Sequence, residues 1–188
     1  SLEKKIQYYG VMTMKIESAT VARLTDPVTK LCRQHVNKMT NMASQTNLQR
    51  SRICLHQNDE STLQEMHICL NIGSYVRPAK HHKKVESLTV INGFSKLILF
   101  QDTGIIDEVV ELGPYQSGKS HYYRLNEPVF HTLLVETSIF VFHEVTEGPF
   151  KILETEPANW APDEGDIHSC LKFMTFLKTA KIGEKFHG

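Results

Sequence analysis

The chain has 188 residues, 40% of them hydrophobic, which suits one domain with a buried core and short extensions. Its 21 Lys and Arg residues balance 21 Asp and Glu residues, which argues against a nucleic-acid or membrane-surface partner recruited by bulk charge. No apolar run approaches the roughly 20 residues that span a bilayer. The first ten residues lack a signal-peptide pattern, and the four cysteines lack CxxC spacing. These features predict a cytoplasmic protein with reduced thiols and no membrane insertion.

The first fifth of the chain is predicted to be mixed or helical. Residues 1–26 fit either a strand or a hairpin. Asp26 and Pro27 then resemble an N-cap followed by a proline in the first helical turn. Apolar residues recur at three- and four-residue steps from Val28 to Met42, so the spacing predicts a helix over about 27–43.

The remainder of the chain has the pattern of short strands separated by turn signals. Regular spacing of this kind predicts a sandwich or barrel. The predicted strands cover residues 52–56, 64–70, 75–78, 85–92, 95–100, 105–112, 121–125, 131–136 and 139–145. A short amphipathic helix is compatible with residues 170–183. The predicted division is an N-terminal extension with one helix over 1–50, a barrel over 51–165, and a C-terminal tail over 166–188.

The stretch from Gly73 to Gly93, GSYVRPAKHHKKVESLTVING, has the most informative spacing in the chain. Side chains alternate along a strand, so position 79 and His81 are expected to share a face. A second strand after the turn would place Glu86 on the same inner side. An imidazole and a carboxylate held a few ångströms apart suit a divalent transition metal. The alternative is a solvated basic turn, in which His81 has no ligand role.

This spacing resembles the first motif of the cupin family, in which Gly and five residues precede His-x-His, and Glu follows before a second Gly. Ala79 stands where the family carries its first histidine. His131, in RLNEPVFHTLLVE, resembles the histidine of the second cupin motif, although Val135 stands where an asparagine is typical. The segments SYVRPAKHHKKVES, YYRLNEPVFHTLL, FHEVTEGPF and NWAPDE are similar to WbuC-type cupin-fold metalloproteins associated with O-antigen gene clusters. That similarity covers roughly residues 52–164.

The resemblance implies an all-β fold: a cupin double-stranded β-helix, or jelly-roll barrel, with an N-terminal helical extension and a short C-terminal tail. It also implies a metal near the barrel mouth, with His81, Glu86 and His131 as ligands. Two histidines and one carboxylate form the ligand set of non-haem iron oxygenases, and Fe, Mn, Ni and Zn are all compatible with it. Because the methyl group of Ala79 cannot bind a metal, the site is either an open three-ligand centre or one that no longer holds metal.

Further residues are predicted to line the same pocket. Tyr75 and Arg77 are expected to share the inward face with His81, and Tyr123 lies in a strand that leads to His131. Arginine and tyrosine at a barrel mouth suit a polar or anionic ligand such as a sugar phosphate. The alternative for each is a structural hydrogen bond at the rim. The same two alternatives apply to the neighbouring residues Arg52, His56 and Gln64. Glu144, in FHEVTEGP, is either a pocket acid or a buried, paired carboxylate.

Three functions are compatible with these residues. The first is a small-molecule metalloenzyme, or metal-binding cupin, connected with the sugar metabolism of surface polysaccharides such as O-antigen. The second is a metal-free isomerase or epimerase acting on a sugar nucleotide, with His81 or His131 as base and Tyr75 or Tyr123 as acid. The third is a non-catalytic binding module with a decayed metal site. Pairing of sheet edges is compatible with a homodimer.

Overall fold

The computed structural model describes residues 14–188, so half of the segment predicted as strand or hairpin, residues 1–13, lies outside the described residues. The strands are β1 (Met14–Ile16), β2 (Val21–Leu24), β3 (Arg50–Cys54), β4 (Leu63–Asn71), β5 (Ala79–His81), β6 (Glu86–Asn92), β7 (Ser95–Phe100), β8 (Ile106–Leu112), β9 (Tyr122–Leu125), β10 (Phe130–Val135), β11 (Ile139–Glu147) and β12 (Thr155–Pro157). The α-helices are α1 (Arg33–Ser44) and α2 (Ile167–Thr179). Two 3₁₀ turns cover Tyr115–Ser117 and Ile152–Glu154. No helix among these residues is long and apolar enough to cross a membrane.

The strands form two sheets. The seven-stranded sheet has the order β1-β2-β3-β4-β11-β6-β9, and the five-stranded sheet has the order β12-β5-β10-β7-β8. Their named strand pairs are antiparallel, apart from the parallel pair of β2 with β3. This confirms the predicted all-β jelly-roll barrel, with a helix towards each end of the chain. The predicted domain division remains a prediction, but β1 and β2 extend the seven-stranded sheet.

The main core lies between the sheets and follows the period-two pattern of the strands. Glu86, Leu88 and Val90 are buried at alternate positions of β6, as predicted, and the other sheet contributes Leu97 and Leu133. Full burial of one such aliphatic side chain contributes about 1.5–3 kcal/mol. The alternation therefore fixes the register of β6, which in turn fixes the face that Glu86 occupies.

Each helix covers the outer face of one sheet. Helix α1 buries Met39 and Ala43 against the seven-stranded sheet. Helix α2 buries Phe173 and Leu177 against the five-stranded sheet, and the Asp166 side chain accepts a hydrogen bond from the Ser169 N–H at its N-terminus. The layers are therefore helix, sheet, sheet and helix, and the predicted helical tail is confirmed with its start at residue 167.

Two predicted boundaries are wrong for local reasons. The N-terminal helix begins at Arg33 instead of about residue 27, because Cys32 is the N-cap and its N–H donates to His35 Nδ1. Val28 is exposed and makes no part of the buried helix face. Residues 75–78 are not a strand, since pairing with β10 and β12 begins only at Ala79, after a proline that has no N–H to donate.

Gly93 and Gly73, the ends of the motif stretch, offer a matched test of stability. Both have positive φ, +85° and +92°. A Cβ at position 93 would collide with the Ile139 carbonyl oxygen, whereas a Cβ at position 73 would have no atom of residues 14–188 outside its chain neighbours within 4 Å. We expect Gly73→Ala to lower the free energy of unfolding by about 1 kcal/mol. Gly93→Ala is expected to lower it by about 3 kcal/mol, because the backbone must also shift. Urea unfolding measures both free energies. Equal losses would show that the contact with the Ile139 carbonyl oxygen does not add to the cost at position 93.

Candidate metal centre

Three strands from the two sheets bring His81, Glu86 and His131 together. His81 ends β5, Glu86 begins β6, and His131 is the second residue of β10. His81 Nε2 and His131 Nε2 each lie 3.4 Å from a Glu86 carboxylate oxygen. One ligand atom from each of the three residues lies within 4.8 Å of the others. Two imidazole nitrogens and a carboxylate oxygen at this spacing fit a divalent transition metal.

Each imidazole is oriented through its other nitrogen. His131 Nδ1 lies 2.9 Å from the Val129 carbonyl oxygen, which can only accept, so Nδ1 carries the proton and Nε2 points at Glu86. His81 Nδ1 lies 3.0 Å from the Thr155 hydroxyl oxygen. Such contacts fix ring orientation in metal sites and leave Nε2 available as a ligand. The rings are therefore already aimed at one point.

Burial and mutual charge govern protonation at this cluster. Burial favours the neutral form of Glu86, but hydrogen bonding and the charges of His131 and His81 outweigh it, so the pKa of Glu86 is lowered. Burial by itself would lower the pKa of His131. The hydrogen bond to Glu86 and the charge of that carboxylate outweigh burial, so the pKa of His131 is raised. Burial lowers the pKa of His81. Glu86 is thus held as a carboxylate, the form that ligates a metal.

Tyr123 and Glu144 complete the polar floor of the site. The Tyr123 hydroxyl lies 3.4 Å from Glu86 Oε1, towards which it donates, and burial raises the pKa of Tyr123 well above its ordinary value. Burial, with the charge of Glu86, raises the pKa of Glu144 to about 8. Among the described residues Glu144 makes no ion pair, so it is not the paired carboxylate that the sequence left as one alternative.

The cluster lies in a cleft formed by two adjoining cavities of about 390 Å³ and about 370 Å³. Cavities of this size accommodate small molecules. Both are lined by Val21, Arg52, His81, Glu86 and Glu144, so the two cavities share a wall. Ser18, Thr20 and Val21 belong to the segment before the predicted barrel. The sequence did not predict that these residues line the cleft. They carry no metal-site motif, and they reach the cleft only because β2 pairs with β3.

The structure places the other three predicted site residues, Tyr75, Arg77 and Tyr123, at different distances from the cluster. Tyr123 joins the cluster. Arg77 lines the cleft, but its guanidinium donates to the Ala158 carbonyl and to Asp163. Tyr75 lines neither cavity: its hydroxyl donates to the Pro162 carbonyl, and its ring packs edge-on against Phe173. The structure therefore does not bring Tyr75 to the cluster, because residues 75–78 are not a strand and the expected alternation does not hold there.

Ala79 and His82 lie on different sides of the cluster, one within β5 and the other in the turn that follows it. Ala79 lines the cleft and is the direct strand partner of His131, so its methyl group faces the cluster. His82 points away and lies 2.7 Å from the Glu156 carboxylate. The cleft wall beside His131 is thus apolar at the position where a fourth ligand would stand.

A second pair of histidines lies on the opposite face of the seven-stranded sheet. The rings of His67 and His143 are 4.9 Å apart, and His143 Nε2 lies 2.9 Å from Glu65 Oε1. His67 Nδ1 is buried and has no hydrogen-bond partner among the residues that the structure describes. Among residues 14–188 this pair does not form a group of three metal-ligand atoms. The burial of His67 instead affects how the stability of the fold depends on pH.

Stability should fall with acid because of His67. Burial, helped by the charge of His143, lowers the pKa of His67 to about 4. Between about pH 6.5 and 4 the unfolded chain therefore binds a proton that the folded chain does not, and the folded state loses stability as pH falls. Between pH 7 and pH 5 we expect the free energy of unfolding of His67→Phe to fall by about 1 kcal/mol less than that of the wild type. This figure allows for partial solvent screening of the imidazole. Urea unfolding at both pH values checks this, and parallel losses would contradict it.

Comparison with known proteins finds one family model of unknown function that matches part of the chain. It also finds several solved structures of low sequence identity. A family described as "Domain of unknown function (DUF6016)" matches residues 31–112. No curated protein matches the sequence. Among solved structures, a cupin-2 domain protein from Rhodospirillum rubrum is 11% identical over 67% of this chain and 78% of that chain, with a TM-score of 0.45.

Two similar structures have names connected with sugars. A sugar phosphate isomerase of the cupin superfamily from Silicibacter pomeroyi is 17% identical over 52% of this chain and 59% of that chain, with a TM-score of 0.40. The capsular polysaccharide assembling protein CapF from Staphylococcus aureus is 15% identical over 56% of this chain and 30% of that chain, with a TM-score of 0.45.

Proposed function

We propose that this protein binds a divalent transition metal and acts on a small polar molecule in the cleft beside it. His81 Nε2, Glu86 and His131 Nε2 would hold the metal. The observation that carries the proposal is the convergence of these three ligand atoms within 4.8 Å of one another. Fe, Mn, Ni and Zn all suit two imidazoles and one carboxylate.

The remaining groups of the cleft have roles that follow from their positions. A bound metal would supply Lewis-acid catalysis or an oxygen-activating centre. Tyr123 orients the Glu86 carboxylate through its hydroxyl. Thr155 and the Val129 carbonyl fix the two imidazole rings. Glu144 faces the same space and can hold a proton for a bound molecule.

The substrate class that we propose is a sugar or sugar nucleotide of surface-polysaccharide metabolism. It is supported by the motif resemblance to WbuC-type cupins, and a cleft lined by Arg52, Arg77 and Tyr123 suits such a molecule. We also propose that the protein acts in the cytoplasm. A homodimer paired through a sheet edge is the proposed assembly, and sedimentation velocity tests it.

Metal analysis tests the central proposal. The protein is purified without a tag, its metal content is measured, and the metal-free form is titrated with Fe²⁺, Mn²⁺, Ni²⁺ and Zn²⁺. We expect one metal ion per chain. Absence of bound metal together with no binding of any of the four ions would overturn the proposal. Turnover of a sugar nucleotide that survives chelation would instead favour the metal-free isomerase.

A binding module without catalysis is the second candidate. The observation that favours it is Ala79, whose methyl group faces the cluster where a fourth ligand would stand. A substrate that is bound but never converted by metal-loaded protein would support this candidate.

A further inference from the structure

The arginines that line the cleft differ in how their guanidinium groups are engaged. Arg23 donates to the Glu17 carboxylate and to the His56 carbonyl. Arg50 forms a bidentate pair with Glu164, and Arg77 donates to Asp163 and the Ala158 carbonyl. Each of these three side chains therefore has a structural role that explains its charge.

Arg52 is different. Within the part of the chain that the structure describes, its guanidinium makes no hydrogen bond and no ion pair. It is exposed, it lies on β3, and it lines both cavities of the cleft together with His81 and Glu86. An arginine that holds nothing else in place, in the wall of a small-molecule cleft, is available to a ligand.

Two charged groups of the cleft, Lys84 and Glu144, do not neutralise the Arg52 guanidinium through an ion pair among the described residues. Lys84 lies 3.7 Å from Glu154 and stacks over Phe150, so it is already engaged. Glu144 is close enough for its charge to interact with that of Arg52, but no ion pair joins them among the described residues. The fork of five N–H donors on a guanidinium matches the oxygens of a carboxylate or a phosphate.

We propose that Arg52 binds an oxyanion of the small molecule, a carboxylate or a phosphate, while another part of that molecule reaches the His81–Glu86–His131 cluster. This inference rests on the proposed function and specifies the charge of the ligand. It also assigns a specificity role to a residue outside the metal-ligand set. The ligand is then an acid or a phosphate ester, and neutral sugars are excluded.

Anion titration by calorimetry at low ionic strength tests the inference. Inorganic phosphate and glycolate are titrated separately into metal-loaded wild-type protein, Arg52→Gln, Arg52→Lys and Arg124→Gln. Arg124 is the matched control, since it is exposed, donates to Asn126 and lines neither cavity. Metal affinity of every variant is measured in parallel, and a neutral sugar, glucose, serves as the uncharged probe.

We expect Arg52→Gln to weaken binding of at least one anion by about tenfold, as for loss of a charge-assisted contact. Arg52→Lys should keep part of the affinity, and Arg124→Gln should match the wild type. Dependence on Arg52 for phosphate alone identifies a phosphate ester, and for glycolate alone a carboxylate. Metal affinity should be unchanged throughout.

Two results would overturn the inference while leaving the proposed function intact: metal-loaded protein that binds neither anion, or equal anion affinity in wild type and Arg52→Gln. If no metal binds, the proposed function fails, and the same titrations on metal-free protein still decide the role of Arg52. Arg52-dependent binding there supports the anion site, and its absence rejects it.

Discussion

Replacing His81 by glutamine is expected to lower the affinity for a divalent transition metal by about 100-fold, because one of three ligand atoms is lost. His81 Nε2 lies 3.4 Å from Glu86 Oε2, and its Nδ1 is held by Thr155. Glutamine is close to the imidazole in length but offers only an amide, a poor ligand for these ions. Competition of a chromophoric chelator for Co²⁺ or Zn²⁺ measures the change.

His82→Gln is the matched control for this prediction. It makes the same chemical change one residue along the chain, where the side chain points away and contacts Glu156. We expect its metal affinity to stay within about twofold of the wild type, because His82 lines neither cavity of the cleft and its ring is held by Glu156. Equal losses in the two variants would show that the local charge of the histidine turn, and not ligation by His81, determines metal affinity.

Ala79→His is expected to raise metal affinity by about tenfold or more, since a fourth protein ligand replaces a solvent ligand. Position 79 is the direct strand partner of His131, and its side chain faces the cleft that contains the other ligands. An imidazole there would stand beside the cluster on the same strand face as His81. The measurement is the same chelator competition, with circular dichroism to show that the fold is kept.

Lys80→His is the control for that substitution. It introduces the same residue at the neighbouring position, where Lys80 Nζ lies 3.0 Å from Asp102 on the outer side. We expect no gain in metal affinity from it. If Ala79→His binds metal no more tightly than the wild type, an imidazole at position 79 does not reach the metal, and the assignment of Ala79 to the fourth ligand position is wrong. The three-ligand centre itself is judged by the direct metal titration.

Part of the site could be predicted from residue spacing because it depends on short-range geometry. The inward face of Glu86 follows from alternation along β6, and the shared face of Ala79 and His81 follows from the same rule along β5. The encounter of His131 with the other two came from a motif resemblance. The structure supplies the physical reason, which is that β10 pairs with β5 across from Ala79.

Other features could not be predicted because they depend on contacts between distant segments. The sequence places Arg77 on the inward face with His81, whereas Arg52 is only one of several residues in a neighbouring predicted strand. Only tertiary structure decides that Arg77 is engaged by Asp163 while Arg52 remains unengaged among the described residues. The start of helix α1 likewise depends on which apolar residues find a sheet to pack against, and Val28 does not.

The sequence alone determined the all-β class, the C-terminal helix and the residue types of the cluster, because periodicity and residue chemistry act over a few neighbouring positions. Tertiary structure decided which of those residues meet. It carried Tyr75 away to the face covered by α2 and closed the cleft with residues that precede the barrel motifs. Residues far apart in the chain are placed by the burial of whole sheets, and no local pattern encodes that placement.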